Sequence, residues 1–229
     1  EDIPSQTVLV HLYENLMRVV ADQAGNSNVV NGMAKSVETE KNADGTVTCR
    51  FQLRSAKWSD GEKVTAEDFV YAWQRLADPD SHSPYAALLS VVCGYQEARL
   101  AKDMSLLQVS APSDTMFEVT LTGNYDWFLR EVCTSPATLP LRQDVVQRLK
   151  EAGSADGEAA SWWQDPTALV TNGPYVAEEL AEGSYLRLAA SESYGTSQSS
   201  PADLVFQFAS TAEEGQALYD EKLVDAVWP

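Results

Sequence analysis

The stretch from Ala56 to Asp78 constrains this chain more than any other. Ser59-Asp60-Gly61 makes a tight turn, and Thr65 then stands where a helix needs an N-cap. Asp68 follows three residues on, placed to reach back in a capping-box arrangement. Glu67 and Asp68 set negative charge in the first turn, which the helix dipole favours. Phe69, Val70, Trp73 and Leu76 form one apolar stripe, and Asp78-Pro79 ends the helix. Such a helix must lay its stripe on something apolar. The preceding segment supplies a candidate, because Val47, Cys49, Phe51 and Leu53 alternate with polar residues at the period of a half-buried strand. Ser36–Lys41 and Thr46–Arg54, joined through Asn42-Ala43-Asp44-Gly45, read as a β-hairpin.

The same irregular mixture runs along the chain. Val8, Leu9, Leu12, Leu16 and Met17 follow helical spacing after Pro4 and Ser5. Leu107–Ser110 and Met116–Thr122 predict a second hairpin around Pro112-Ser113-Asp114. Tyr125–Val132, Gln143–Ala152 and Ala212–Tyr219 read as helices, and Gly153–Ala160 as a surface loop. Leu186 and Leu188 mark one strand, Leu204, Phe206 and Phe208 another, and Leu223–Val227 a last short apolar one. Hairpins and helices alternate without a regular βαβ rhythm, so the expected class is mixed α+β. A finished domain rarely stops just after a short apolar strand, so the sequence predicts a piece of a longer protein.

Composition narrows the function. With 34 acidic against 16 basic residues and a formal charge of -18, the surface repels phosphate backbones and anionic lipid heads. Neither nucleic-acid binding nor peripheral membrane binding is expected. No apolar run approaches the ~20 residues that span a bilayer, and the N-terminus has neither a basic nor an apolar leader region. Cys49, Cys93 and Cys133 fall in no CxxC pair. Buried free thiols are the simplest reading, with a Cys93–Cys133 bridge as the alternative.

Catalytic constellations are missing from the sequence. His11 and His82 are the two histidines, and neither accompanies a GxSxG-type nucleophile motif. No HExxH, EF-hand, Walker or GxGxxG pattern occurs, so no metal and no cofactor is expected. Arg50, Arg54 and Lys57 form the most basic local run, which a solvated strand edge would explain. Trp58 and Trp73 are expected in the core. Tyr85, after Ser83-Pro84 in a loop between helices, is expected to face a ligand or partner.

Residues 56–76, AKWSDGEKVTAEDFVYAWQRL, resemble the signature of the oligopeptide-binding proteins, the substrate-binding proteins of bacterial peptide ABC importers (family 5). The likeness continues through Ala77-Asp78-Pro79, Ser83-Pro84-Tyr85-Ala86, Phe117–Leu121 and Thr171-Asn172-Gly173-Pro174-Tyr175. Leu12-Tyr13-Glu14-Asn15-Leu16 is similar to the family's leucine-aromatic-glutamate-glycine-leucine helix, with Asn15 in place of glycine.

The resemblance implies a type II periplasmic-binding-protein-like fold of which this chain supplies part of lobe I. Residues 1–30 and 170–229 would belong to the hinge and sheet subdomain, 31–169 to a hairpin-rich outer subdomain, and lobe II would be absent. It implies a cleft that closes on an oligopeptide. The peptide contacts carried over are Glu1, Asp2 and Ile3 in the loop before the first helix, Val10 where some members carry arginine, Tyr85, and Phe206. The implied partners are the peptide, an ABC permease and its ATPase subunits. The protein would be a non-enzymatic extracytoplasmic monomer, periplasmic or held at the cell surface by a lipid anchor outside this chain. Dipeptides, nickel chelates, haem or oligosaccharides are alternative ligands on the same fold, and a surface receptor module is an alternative role.

Overall fold

The computed structural model describes residues 3–154, 165–194 and 201–227. Glu1, Asp2, residues 155–160 of the expected surface loop, Trp162, Trp163 and Trp228-Pro229 lie outside them.

The largest element is a four-stranded antiparallel sheet. Its strands are β3 (Ala34–Lys41), β4 (Val47–Leu53), β5 (Val109–Ser113) and β6 (Met116–Leu121), in the order β3-β4-β6-β5. The Asn42–Gly45 turn joins β3 to β4 as the sequence predicts, with Gly45 at φ 90 and the Asp44 carboxylate accepting from the Thr46 N–H at 3.0 Å. Register places Phe51 opposite Phe117 and Cys49 opposite Val119, so the alternating residues of β4 and β6 share one apolar face.

Helix α2 (Ala66–Ala77) lies on that face. Trp73 meets Phe117 edge-on at 5.1 Å between centroids, and Phe69 sits 5.8 Å from the same ring. Both indoles expected in the core are fully buried, and each N–H is satisfied: Trp58 Nε1 donates to Asp68 Oδ2 at 3.2 Å and Trp73 Nε1 to the Thr138 carbonyl at 3.3 Å. Burying a side chain of this size stabilises by roughly 1.5–3 kcal/mol. The Asp68 carboxylate also accepts from the Thr65 N–H at 2.7 Å, the reach-back that the sequence predicts. One carboxylate therefore caps α2 and anchors the turn before it.

The remaining strands form a hairpin, β1 (Met17–Ala21) with β2 (Ser27–Asn31), and a meander, β7 (Tyr175–Ala181), β8 (Tyr185–Ala190) and β9 (Asp203–Gln207). The helices besides α2 are α1 (Ile3–Leu12), α3 (Tyr95–Ala101), α4 (Phe128–Glu131), α5 (Gln143–Ser154) and α6 (Ala212–Asp220). Short 3-10 turns connect them, one of them Ala86–Val91.

Several expectations need correction. The first helix stops at Leu12, and Met17 opens β1 instead of continuing the helix. The Glu14 N–H is taken by the Asn172 side chain at 3.0 Å, which pulls the backbone out of helical pairing. Residues Leu223–Val227 make no strand; they turn and bend at the surface with Leu223 and Val227 exposed. The helix expected over Tyr125–Val132 is the single turn α4. The basic run is no bare strand edge: Arg50 donates to Glu118 at 2.6 Å and Glu40 at 2.7 Å, and Arg54 pairs with Glu14. The cysteines, by contrast, follow the simplest reading: all three are buried and free, and the alternative Cys93–Cys133 bridge is absent.

Burial raises the Asp68 carboxyl above the usual range, and its hydrogen bonds from Thr65 and Trp58 offset this only in part. The folded chain thus binds this proton more tightly than the unfolded one. Its contribution to stability falls as pH rises through the unfolded value and then the folded one. Asp68→Asn keeps an oxygen acceptor and removes the titration. Thermal melts from about pH 4 upward should show the variant gaining on the wild type as pH rises; a constant difference would refute the assignment.

Candidate ligand-binding surface

The predicted contacts gather around α1. Its sequence, IPSQTVLVHL, has no acidic residue in the first turn, and Tyr13 N–H closes its last turn on the Leu9 carbonyl at 2.9 Å. Val8 and Leu9 pack against the core, whereas Val10 is 50% exposed. Gln6 lies four residues before Val10 and so shares its face.

Gln6 Nε2 donates to the Tyr85 hydroxyl at 2.8 Å, across 79 residues of sequence. Tyr85 immediately precedes the Ala86–Val91 turn, and its ring packs partly against the core. The loop tyrosine and Val10 are therefore held on one side of α1. At the other end of the helix, His11 packs edge-on against Phe206 at 5.5 Å between centroids and 6.2 Å from Tyr175. The alternation of β9 turns Leu204 and Phe206 towards the core and leaves Val205 exposed. His11 Nδ1–H donates to the Thr7 carbonyl at 2.7 Å, which fixes the ring.

Val10, Tyr85 and Phe206 thus all border one helix. Glu1 and Asp2 lie outside the described residues, and Ile3, expected in the preceding loop, is the first residue of α1. Sequence reasoning missed Gln6 and treated His11 only as a catalytic candidate. The i,i+4 spacing of Gln6 and Val10 was the available signal. The three described candidates bring apolar surface and one phenol, a set suited to packing and hydrogen bonding. Among the described residues no group of histidine, cysteine and carboxylate side chains could hold a metal ion. His82 donates from Nδ1 to the Asp80 carbonyl at 2.8 Å in an exposed left-handed turn with φ 52. A cleft of about 450 Å³ between α2 and α5, lined by Glu67, Tyr71, Gln74, Gln143 and Gln147, contains none of the predicted contacts.

What holds α1 in place is a junction of three sequence motifs. Asn172 Oδ1 accepts from the Glu14 N–H at 3.0 Å, while its Nδ2 donates to the Glu14 carbonyl at 3.1 Å. Gly173 N–H donates to the Leu12 carbonyl at 2.8 Å. A Cβ at Gly173 would lie 2.5 Å from the Leu12 carbonyl carbon and 2.6 Å from the Tyr13 nitrogen, so only glycine fits. Ser59 joins from the signature turn: its N–H donates to the Thr171 carbonyl at 2.8 Å and its hydroxyl accepts from the Thr171 N–H at 3.1 Å. The Glu14 side chain, only 7% exposed, pairs with Arg54 and accepts from the Tyr194 hydroxyl at 3.0 Å. Asn15 spends its amide on the Ser135 carbonyl at 2.8 Å and the Thr138 hydroxyl at 2.9 Å.

Comparison with known proteins places this mixed fold and its junction of motifs. The signature of the bacterial extracellular solute-binding proteins, family 5, middle region, matches residues 28–229. The chain belongs to this family. It is 32% identical over 197 residues to the periplasmic oligopeptide-binding protein OppA of Escherichia coli K12, covering 85% of this chain and 33% of that protein. It is 32% identical over 231 residues to a dipeptide-binding protein of Lactococcus lactis, covering 96% of this chain and 38% of the relative. The solved structure of Haemophilus influenzae OppA in complex with the peptide RPPGFSPFR superposes with a TM-score of 0.82 at 30% identity, over 98% of this chain and 41% of that one. The chain spans about a third of the length of the curated relatives it matches first and about two fifths of the solved structures. The α+β fold is that of the OppA-like type II periplasmic binding proteins.

Gly173→Ala should destabilise the chain by about 2–4 kcal/mol, because the colliding atoms are backbone and cannot rotate away. Urea midpoints measure this. A loss below about 0.5 kcal/mol would show that the contact is not tight in solution.

Proposed function

We propose that this chain forms part of the substrate-binding component of an ABC importer that captures oligopeptides between two lobes and delivers them to a membrane permease and its ATPase subunits. The observation that carries the reading is the arrangement around α1: Val10, Tyr85 and Phe206 border one helix in a chain that superposes on a peptide-bound OppA. A peptide offers a regular backbone and variable side chains. The exposed Val10 beside the half-buried Tyr85 and Phe206 rings suits the second of these without demanding one sequence.

In this reading residues 1–30 and 170–229 belong to the hinge and sheet subdomain of lobe I, and 31–169 to its outer subdomain. The distribution of sheets supports the division, since β3 to β6 fall within the second range and β7 to β9 within the first. The Met17 N–H, which donates to the Cys133 carbonyl at 3.0 Å, ties the two together. The protein acts outside the cytoplasm, as a periplasmic or lipid-anchored monomer, and performs no catalysis. Glu1, Asp2 and Ile3 are further peptide contacts in this proposal. The Lactococcus relative, matched over 96% of this chain, is named for dipeptides, so a shorter peptide is the second reading.

Calorimetry with a mixed peptide library tests the proposal. The full-length protein carrying this sequence should bind, and the 229-residue chain should bind weakly or not at all. Micromolar or tighter binding by the chain alone would sink the two-lobed cleft. A full-length protein that ignores peptides would sink the ligand class.

A further inference from the structure

The cover over the core face of the four-stranded sheet changes along its length. Helix α2 covers Phe117, whose ring packs beside that of Phe51. At the other end of the strands, beside Val47, Cys49 and Leu121, the cover passes to the segment Asn124–Leu129. There the fit leaves a cavity of about 260 Å³. Val47, Cys49, Leu121 and Phe128 form its floor, all of them buried. Its rim is of different chemistry. The Tyr125 ring lines it, as does the exposed Asp126, whose one described partner is the Asn124 amide at 3.2 Å. None of the residues around α1 takes part, and nothing in the proposed function uses this site.

We propose that this cavity binds a small amine whose apolar body is a single ring. Size decides the body: cavities of roughly 150 Å³ take benzene, whereas drug-sized ligands need about 300 Å³ or more. One ring with a short chain fits and a peptide does not. Charge decides the head. The rim offers a carboxylate and the Tyr125 ring, both of which favour a cation, on a chain whose formal charge is -18. An anionic or zwitterionic ring compound would set its carboxylate against Asp126.

Phenethylamine is the probe, and 2-phenylethanol its neutral counterpart of the same shape. Titrated into the 229-residue chain and followed by Trp fluorescence and by amide shifts around Phe128, the amine should saturate at about millimolar concentration. The alcohol should bind about three- to fivefold more weakly, and Asp126→Asn should reduce amine binding by about the same factor. Asp126 is exposed and caps no helix, so this variant should fold as the parent does. No saturation by either compound overturns the site. Equal binding of amine and alcohol, or full binding by Asp126→Asn, overturns the amine as its ligand. Shifts confined to residues around α1 would assign the binding to the peptide surface and refute the proposal.

Discussion

The clasp between Asn172 and Glu14 is the interaction on which the rest of the arrangement depends. One amide satisfies both backbone groups of a residue leaving a helix, at 3.0 and 3.1 Å, in a site from which water is excluded. Each bond contributes only about 0.5–1.5 kcal/mol net, but leaving either backbone group bare would cost about 1–3 kcal/mol. The asymmetry makes the clasp a constraint more than a source of stability. It ends α1 at a fixed residue, which sets the direction of Val10 and His11 and hence their distance from Tyr85 and Phe206. Gly173 next to it allows the backbones to approach, and Ser59 ties the same strand entry to the α2 turn.

Glu14 also illustrates how burial of a charge is tolerated in a strongly acidic chain. Its carboxylate meets Arg54 and the Tyr194 hydroxyl, with Arg18 at 3.8 Å. Arg54 in turn donates from Nε to the Gly32 carbonyl at 3.2 Å and stacks over the Tyr194 ring at 5.4 Å. With these partners in place, the pair avoids much of the penalty that an isolated buried ion would suffer. What it adds is register, because four separate segments must align for the group to close.

The elements legible in the sequence were those whose signals are local. The Asp44-Gly45 turn, the alternation of Val47 to Leu53 and the capped stripe of Ala66 to Ala77 each carry their own instructions within a dozen residues. The family likeness was legible for the same reason, since motifs are local strings. What escaped was set by partners far away. Leu16 and Met17 keep helical spacing with Leu12, yet the chain is extended there because Asn172 and Gly32 claim its backbone. Leu223 to Val227 looked like a strand and found no neighbour to pair with. Of the candidate surface, Tyr85 could be singled out by its loop position and Val10 and Phe206 by resemblance alone. The link from Gln6 to Tyr85 joins residues 79 apart, and no local pattern announces it.

The same separation has a kinetic meaning. Apart from the β4–β6 pairing, which sets Phe51 opposite Phe117, the strands pair with partners near in sequence, and such contacts form early. The Asn172 clasp joins residues 158 apart and must gather the finished pieces. Closing so long a loop costs chain entropy that two hydrogen bonds repay only once the surrounding side chains are already docked. The clasp therefore belongs to the last stage of folding and the first of unfolding. It acts as a latch on the lifetime of the folded chain, and weakening it would show in how fast the protein opens, while the rate of refolding would barely change.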